Sequence, residues 1–143
     1  MFKFLGAPYP IATTPKGYLP SISGVDTIKA DLLQLLLTYP GSRVMLPAFG
    51  TRLKDLIFEP NDIILRDRAR DMIIDAISQW EPRIAVEAIE VSSNVENDFL
   101  SNEDDYSERE HILGISILFK DPQNITTIQE LVLEVPLQNY NLL

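Results

Sequence analysis

The hydrophobic pattern of this 143-residue chain changes period once, at Glu81-Pro82-Arg83. Before this turn, apolar residues recur every three or four positions, which is the spacing of helices with one buried face. After it, apolar and polar residues alternate, which is the spacing of strands that bury one face of a sheet. A chain of this length has room for one hydrophobic core. Helices followed by strands around one core predict an α+β domain.

Two main helices are expected before the turn. Asp26 can cap the first, and Pro40-Gly41 ends it. Asn61 or Asp62 can cap the second, which extends to about Trp80. The second helix carries one continuous stripe of core-facing side chains: Leu65, Ala69, Met72, Ile73, Ala76, Ile77 and Trp80.

Three strands are expected after the turn, and their succession along the chain with short or loop links favours an antiparallel meander. Their alternating apolar residues are Ile89, Val91 and Val95, then Leu113, Ile115, Ile117 and Phe119, then Leu131, Leu133, Val135 and Leu137. Pro136 cannot donate a ladder hydrogen bond, so the last strand suits an edge. The sequence therefore predicts one domain over residues 26–138, with two main helices packed on one face of a three-stranded antiparallel sheet.

The N-terminal segment, residues 1–25, contains four prolines and three glycines. This density excludes a regular helix and interrupts any central strand, so we expect an extended N-terminal arm. Its apolar side chains have no period and could pack on the core or insert into a neighbouring subunit. Residues 139–143 are expected to form a C-terminal tail.

The composition argues against several kinds of partner and cofactor. A net charge of −9 disfavours nucleic-acid binding, which depends on clustered Lys and Arg. The absence of cysteine excludes disulfides and thiolate metal sites. No apolar run approaches the roughly 20 residues that span a bilayer, and the N-terminus lacks a signal-peptide pattern. We therefore expect a protein made in the cytoplasm, with no cofactor, metal, nucleic acid or membrane partner.

Enzymatic residues are weakly indicated. The one histidine, His111, lies at the start of a strand, and no Gly-x-Ser-x-Gly turn frames a serine that could join it in a triad. Glu59 and Glu81 are the acids with the most apolar neighbours, but each precedes a proline, which favours a turn or cap. The segment 96–110 is polar and strongly acidic, so it is expected to be a mobile loop. A calcium site is the alternative, but the segment lacks the glycine and the ligand order of a calcium loop.

Three motifs carry a family resemblance. They are Thr38-Tyr39-Pro40-Gly41-Ser42-Arg43, then Leu46-Pro47-Ala48-Phe49-Gly50-Thr51 with Phe58-Glu59-Pro60, and Trp80-Glu81-Pro82-Arg83-Ile84. In order and spacing they resemble the baseplate wedge and sheath-initiator family of contractile phage tails, shared with type VI secretion baseplates and extracellular injection particles. Ser42 departs from the acidic residue common in the family, and Thr51 from its serine, so the resemblance does not carry over a charge contact near Arg43.

The resemblance implies a structural, non-enzymatic subunit of a virion tail baseplate. Its expected partners are baseplate wedge proteins and the tail sheath protein, with the tail tube or hub as a further candidate. By resemblance, Glu81, Pro82 and Arg83 dock on the wedge core, and Arg43 is also assigned to partner binding. The alternative for Arg83 is an internal pair with Glu81 or Glu59 that stiffens the turn.

The resemblance also implies that the sheet templates the first sheath ring. An exposed edge can accept strands from sheath arms through main-chain hydrogen bonds, and Pro136 marks the expected edge strand. Family members are often labelled lysozyme-like, so the runner-up function is a peptidoglycan-cleaving glycoside hydrolase. A soluble regulatory adaptor is a third class, because fold alone does not determine function.

Overall fold

The computed structural model describes residues 5–60, 62–93, 112–121 and 124–136. Its helices are α1 (Val25–Leu37), a 3-10 helix (Leu53–Phe58) and α2 (Ile63–Trp80). Its strands are β1 (Leu5–Gly6), β2 (Ile22–Ser23), β3 (Ala85–Ser93), β4 (Ile112–Asp121) and β5 (Asn124–Pro136). Several predicted features lie outside the described residues: Val95, the acidic segment 96–110, His111, Leu137 and the tail 139–143.

Helix α1 begins one residue before the predicted cap. Its N-cap is Gly24, with φ of 70° and no side-chain cap hydrogen bond, so the expectation that Asp26 caps the helix is wrong. Asp26 lies in the first turn, where a carboxylate still interacts favourably with the helix dipole. The apolar face of α1 is buried as predicted, with Ile28 and Leu32 almost fully inaccessible.

Helix α2 is capped by Asp62. The Asp62 carboxylate accepts a hydrogen bond of 2.8 Å from the backbone N–H of Leu65, which satisfies one of the unpaired donors at the helix start. Most of the predicted stripe is buried, with Met72 and Trp80 half-buried at its border. The buried members are Leu65, Ala69, Ile73, Ala76 and Ile77.

The sheet is antiparallel with the order β3-β4-β5, as the pattern predicts. Ile117 pairs with Ile89 on one side and with Leu131 on the other, so these three side chains share one face. That face meets α1 and α2 in a single core. Its buried strand residues are Ile89, Val91, Leu113, Ile115, Ile117, Phe119, Leu131 and Val135.

Strand β5 has 13 residues and starts earlier than its apolar alternation indicates. The alternating residues begin at Leu131, whereas Ile128 and Val132 lie on the opposite, exposed face. The ladder with β4 begins at Asn124, which pairs with Asp121. The register then shifts, and unbroken pairing with β4 extends from Ile128 to Pro136. The hydrophobic period alone does not reveal where β5 starts.

The described part of the N-terminal segment returns to α1. Strand β1 pairs antiparallel with β2, with Leu5 opposite Ser23. Gly6 lies so close to α1 that a Cβ there would be 2.6 Å from Cγ2 of Thr27. Between β1 and β2, Ile11 and Tyr18 are exposed. The extended arm stays a prediction, since these contacts do not confirm it.

Candidate functional site

The turn Glu81-Pro82-Arg83 joins the end of α2 to the start of β3. The backbone N–H of Glu81 donates to the carbonyl oxygen of Ile77 at 2.8 Å, so the turn continues directly from the last helical hydrogen bonds. Pro82 is exposed, whereas Glu81 is only 5% exposed. Because the ring of Pro82 fixes its φ angle, the backbone orientation of Glu81 relative to Arg83 is restricted.

Arg83 is held by two carboxylates. Its Nε lies 2.5 Å from Oε1 of Glu81, its Nη2 also contacts Oε2 of Glu81, and the same Nη2 lies 2.7 Å from Oδ2 of Asp31 on α1. Hydrogen bonding to Glu81, then to Asp31, raises the pKa of Arg83 above its ordinary value, although partial burial opposes the shift. The guanidinium is therefore a permanent charge that ties the turn to α1.

The internal pair between Arg83 and Glu81, which the sequence allows as an alternative to docking, is present in the structure. Glu59 is not the partner, because its carboxylate binds Arg68 at 2.6 Å. The sequence does not point to Asp31, which lies 52 residues from Arg83. Its only sequence signal is a carboxylate within an otherwise apolar stretch of α1, and such a residue is more often simply solvated.

Arg43 lies beside the same turn. Its guanidinium carbon is 4.6 Å from the centroid of the Phe49 ring, a cation–π distance. Phe49 in turn packs edge-on against Trp80, with ring centroids 5.3 Å apart. Arg43 and Arg83 line one depression of about 210 Å³ between α1, the end of α2 and the loop that contains Arg43. The predicted residues Arg43, Glu81 and Arg83 are thus brought together, with Pro82 next in the chain.

The loop 38–51, which follows α1, is fixed by backbone hydrogen bonds. Gly41 N–H donates to Pro47 O at 2.7 Å, and Thr51 N–H donates to Thr38 O at 2.9 Å. Gly50 has φ of 119°, and a Cβ there would be 2.2 Å from the Thr38 carbonyl oxygen, so only glycine fits.

Thr51 has a structural role that the sequence does not reveal. Its buried hydroxyl donates to the carbonyl oxygen of Leu36 at 2.7 Å. The last carbonyls of a helix have no partner within the helix, so this bond satisfies one of them at the end of α1. A serine, which the related motif often has, carries the same donor, so the departure at Thr51 preserves the chemistry.

Pro136, the fifth predicted partner-binding residue, lies elsewhere. It ends β5 and pairs with Ile112, at the end of the sheet where β3 finishes. The turn Glu81-Pro82-Arg83 precedes the start of β3. Pro136 is therefore at the far end of the sheet and on the opposite edge strand.

The two edges of the sheet differ. On α2, Arg70 Nε donates to the carbonyl oxygen of Ile89 in β3 at 3.1 Å. A covering side chain of this kind discourages edge pairing. Register irregularities occur on both edge strands, between Val86 and Ala88 of β3 and between Asn124 and Ile128 of β5. Strand β5 pairs with β4 on one side, and on its other side no strand pairs with it within the described residues.

Within residues 5–60, 62–93, 112–121 and 124–136, no cluster of three or more His, Asp or Glu side chains is arranged to hold a metal ion. None of the helices in these ranges combines the length and the apolar character needed to cross a membrane.

The chain is similar to known baseplate proteins. The family model for baseplate wedge protein gp25 matches residues 23–117. Baseplate wedge protein gp25 of Enterobacteria phage T4 is 37% identical over 68 residues, which are 48% of this chain and 52% of that protein. The match therefore spans about half the length of this relative.

Two solved structures share the fold. A candidate tail lysozyme from Geobacter sulfurreducens superposes with a TM-score of 0.62 at 23% identity, over 80% of this chain and 91% of that one. A chain of the anti-feeding prophage baseplate superposes with a TM-score of 0.61 at 16% identity, over 97% and 90%. The family model covers α1, the loop 38–51, α2, the Glu81-Pro82-Arg83 turn and β3, well over half of the sequence, and the chain belongs to the gp25 baseplate wedge family.

Proposed function

We propose that this chain is a structural, non-catalytic subunit of the baseplate of a contractile tail, assembled in the host cytoplasm and retained in the virion. The observation that carries the proposal is the family match over residues 23–117. This range includes the loop 38–51 and the Glu81-Pro82-Arg83 turn, which the structure gathers around one depression. The partners are other baseplate wedge proteins and the tail sheath protein, with the tail tube or hub as a further candidate.

The wedge core docks on the surface formed by Arg43 and the Glu81-Pro82-Arg83 turn. Arg83 is partly exposed and held by Glu81 and Asp31, so a partner would meet it already oriented. A charge held in place before association loses less conformational entropy when it binds. The internal pairs are therefore compatible with docking, because they position the guanidinium and leave part of it accessible.

The edge of β5 templates the first sheath ring by accepting an added strand. Two features support this edge over β3. Strand β5 has 13 residues, pairs with β4 in unbroken register from Ile128 to its end at Pro136, and has no side chain recorded against its outer main chain within the described residues. The β3 edge has nine residues and is contacted by Arg70 at the Ile89 carbonyl. Strand addition of this kind takes affinity from main-chain hydrogen bonds and register from alternating side chains.

The runner-up, a peptidoglycan-cleaving glycoside hydrolase, needs a carboxylic acid in an apolar setting that can deliver a proton. The two acids with such a setting in the sequence are each engaged by an arginine: Glu81 by Arg83 and Glu59 by Arg68. Both oxygens of each carboxylate accept hydrogen bonds from its arginine, so neither acid is free to reach the oxygen of a glycosidic bond. This geometry favours the structural role over the enzyme, and nothing specific favours a regulatory adaptor.

Electron microscopy of particles assembled without this protein tests the proposal. We expect tubes or baseplates that lack an extended sheath, and restoration of sheathed tails when the purified protein is added. Complete, normally sheathed tails in its absence would overturn the proposal. A parallel assay for turnover of cell walls at high protein concentration tests the hydrolase, which would be supported by activity that disappears in Glu59→Gln or Glu81→Gln.

A further inference from the structure

The loop 38–51 presents two adjacent apolar side chains almost entirely to solvent. Val44 is 94% exposed and Met45 is 89% exposed. Single exposed apolar residues are ordinary on a protein surface. A neighbouring pair at the tip of a loop, with Leu46 also partly exposed, is instead the kind of feature that marks a contact with another molecule.

Hydrogen bonds hold the two sides of this tip together. The chain on its two sides is joined by the hydrogen bond from Gly41 N–H to Pro47 O, and Phe49 N–H donates to Leu46 O at 3.1 Å. At the far end of the loop, Gly50 has a positive φ and lies close to Thr38, so the loop returns to the end of α1 at a fixed point. A presented apolar pair on a fixed loop loses little conformational entropy when it is buried by a partner.

Arg43, next to this tip, specifies the charge of the partner. It is the only charged residue between Thr38 and Gly50, in a chain whose net charge is −9. Among the described residues it has no carboxylate within ion-pair distance, and its guanidinium instead lies over the ring of Phe49. A stacked guanidinium keeps its N–H edge available, and that edge matches a carboxylate.

We propose that Val44 and Met45 insert into an apolar recess on a neighbouring baseplate protein, and that a carboxylate at the rim of this recess binds Arg43. The inference rests on the proposed function and deepens it. It adds an apolar anchor to a docking surface that the family resemblance described only through charged residues and a proline. Buried apolar anchors surrounded by polar contacts are the usual source of affinity at such interfaces.

The adjacent pair Ile63 and Ile64 supplies a matched control. These residues begin α2 and are 68% and 63% exposed. Neither of the residues that flank this pair in the sequence is a cation, whereas Arg43 directly precedes the apolar pair of the loop. The test compares two double variants. One combines Val44→Ser and Met45→Ser, and the other combines Ile63→Ser and Ile64→Ser. Circular dichroism and thermal melting first establish that both double variants are folded.

Binding is measured by titrating each purified protein onto baseplates assembled without this chain. We expect the Val44/Met45 variant to bind about 100-fold more weakly, since two apolar side chains lose their burial, and the Ile63/Ile64 variant to bind within about threefold of wild type. Equal binding of the Val44/Met45 variant and wild type would overturn the proposal, as would an equal loss in both variants.

Two further readouts separate the alternatives. Arg43→Gln should weaken binding about tenfold and reduce its dependence on salt, because an exposed ion pair at the rim is screened by salt. Unchanged salt dependence would exclude the carboxylate. If sedimentation shows a wild-type dimer that the Val44/Met45 variant abolishes, the occupant is a second copy and the proposal is wrong. Failure of wild type to bind baseplates would instead overturn the proposed function itself.

Discussion

The two surfaces that we assign to partners are built on opposite physical principles. At the loop 38–51 and the Glu81-Pro82-Arg83 turn, side chains are fixed by contacts inside the domain, such as Arg83 with Glu81 and Asp31. At the edge of β5, the groups offered to a partner belong to the main chain. The first surface can select a partner by charge and shape, whereas the second can accept many sequences and depends on strand pairing for affinity.

The largest effect is expected where the first surface is most constrained, at Gly50. In Gly50→Ala the new Cβ would lie 2.2 Å from the Thr38 carbonyl oxygen at a backbone φ of 119°. We expect the free energy of unfolding to fall by about 3 kcal/mol, from strain and displaced backbone together. Urea unfolding measures it.

Gly17→Ala is the matched control for this substitution. Gly17 also has a positive φ, of 81°, but a Cβ at this position would meet nothing within 4 Å. The substitution should cost only the backbone term, about 1 kcal/mol. Similar losses at both positions would mean that the close approach to Thr38 does not constrain the loop.

Arg83→Gln separates support of the fold from contact with a partner. Removing the guanidinium leaves Glu81 buried without its bidentate partner, and we expect stability to fall by about 2 kcal/mol. If Arg83 also docks, binding of the folded variant to the wedge should weaken by about tenfold. Asp31→Asn provides the comparison, because it removes the negative charge of an internal partner and keeps the arginine.

The outcome of this pair of variants decides between the two roles of Arg83. A loss of wedge affinity in Arg83→Gln that Asp31→Asn does not reproduce places the contact on the guanidinium. Equal wedge affinity for folded Arg83→Gln and wild type would restrict Arg83 to stiffening the turn.

Arg70→Ala tests the difference between the two sheet edges. It frees the carbonyl of Ile89 from its 3.1 Å hydrogen bond and should lower stability by about 1 kcal/mol. If Arg70 protects the β3 edge, the variant should also self-associate at concentrations where wild type is monomeric, as sedimentation velocity can detect. A variant that stays monomeric would indicate that the bond ties α2 to β3 and does nothing at the edge.

The smallest effect is expected on the outer face of the sheet. Lys120 and Glu87 form an exposed ion pair of 2.8 Å. Exposed pairs contribute little, so Lys120→Gln should change stability by less than about 0.5 kcal/mol and leave both partner surfaces unaffected. A larger loss in urea unfolding would show that this face contributes to the fold beyond its visible contacts.

The sequence predicts the elements better than their mutual contacts. The buried stripe of α2, its Asp62 cap and the inner faces of the three strands follow from local spacing, because burial of one face imposes a period. The Asp31–Arg83 pair does not, since it joins α1 to a turn 52 residues later and depends on how the helices pack. Gly24 takes the place of Asp26 as the cap of α1, where a glycine with positive φ leads the chain out of β2.

The candidate site divides in the same way. The residue pattern marks Glu81-Pro82-Arg83 as the point where the period changes, and the family motifs add Arg43. Neither indicates that Arg43 stacks on Phe49, or that Phe49 packs on Trp80, because ring contacts between a loop and a helix end are set by tertiary structure. In the sequence, Val44 and Met45 form an ordinary short apolar segment, and only the fold shows that both are exposed.

The length of β5 acts as a ruler for whatever strand is added to it. From Ile128 to Pro136 the register with β4 is unbroken, and nine residues at about 3.3 Å each give a ladder of roughly 30 Å. Along such an edge, a partner strand displaced by two residues would keep most of its hydrogen bonds, so main-chain pairing alone sets the alignment weakly. Pro136 has no backbone N–H. At this position a partner strand can receive no main-chain donor, so Pro136 supplies a fixed reference from which the partner's alignment can be counted.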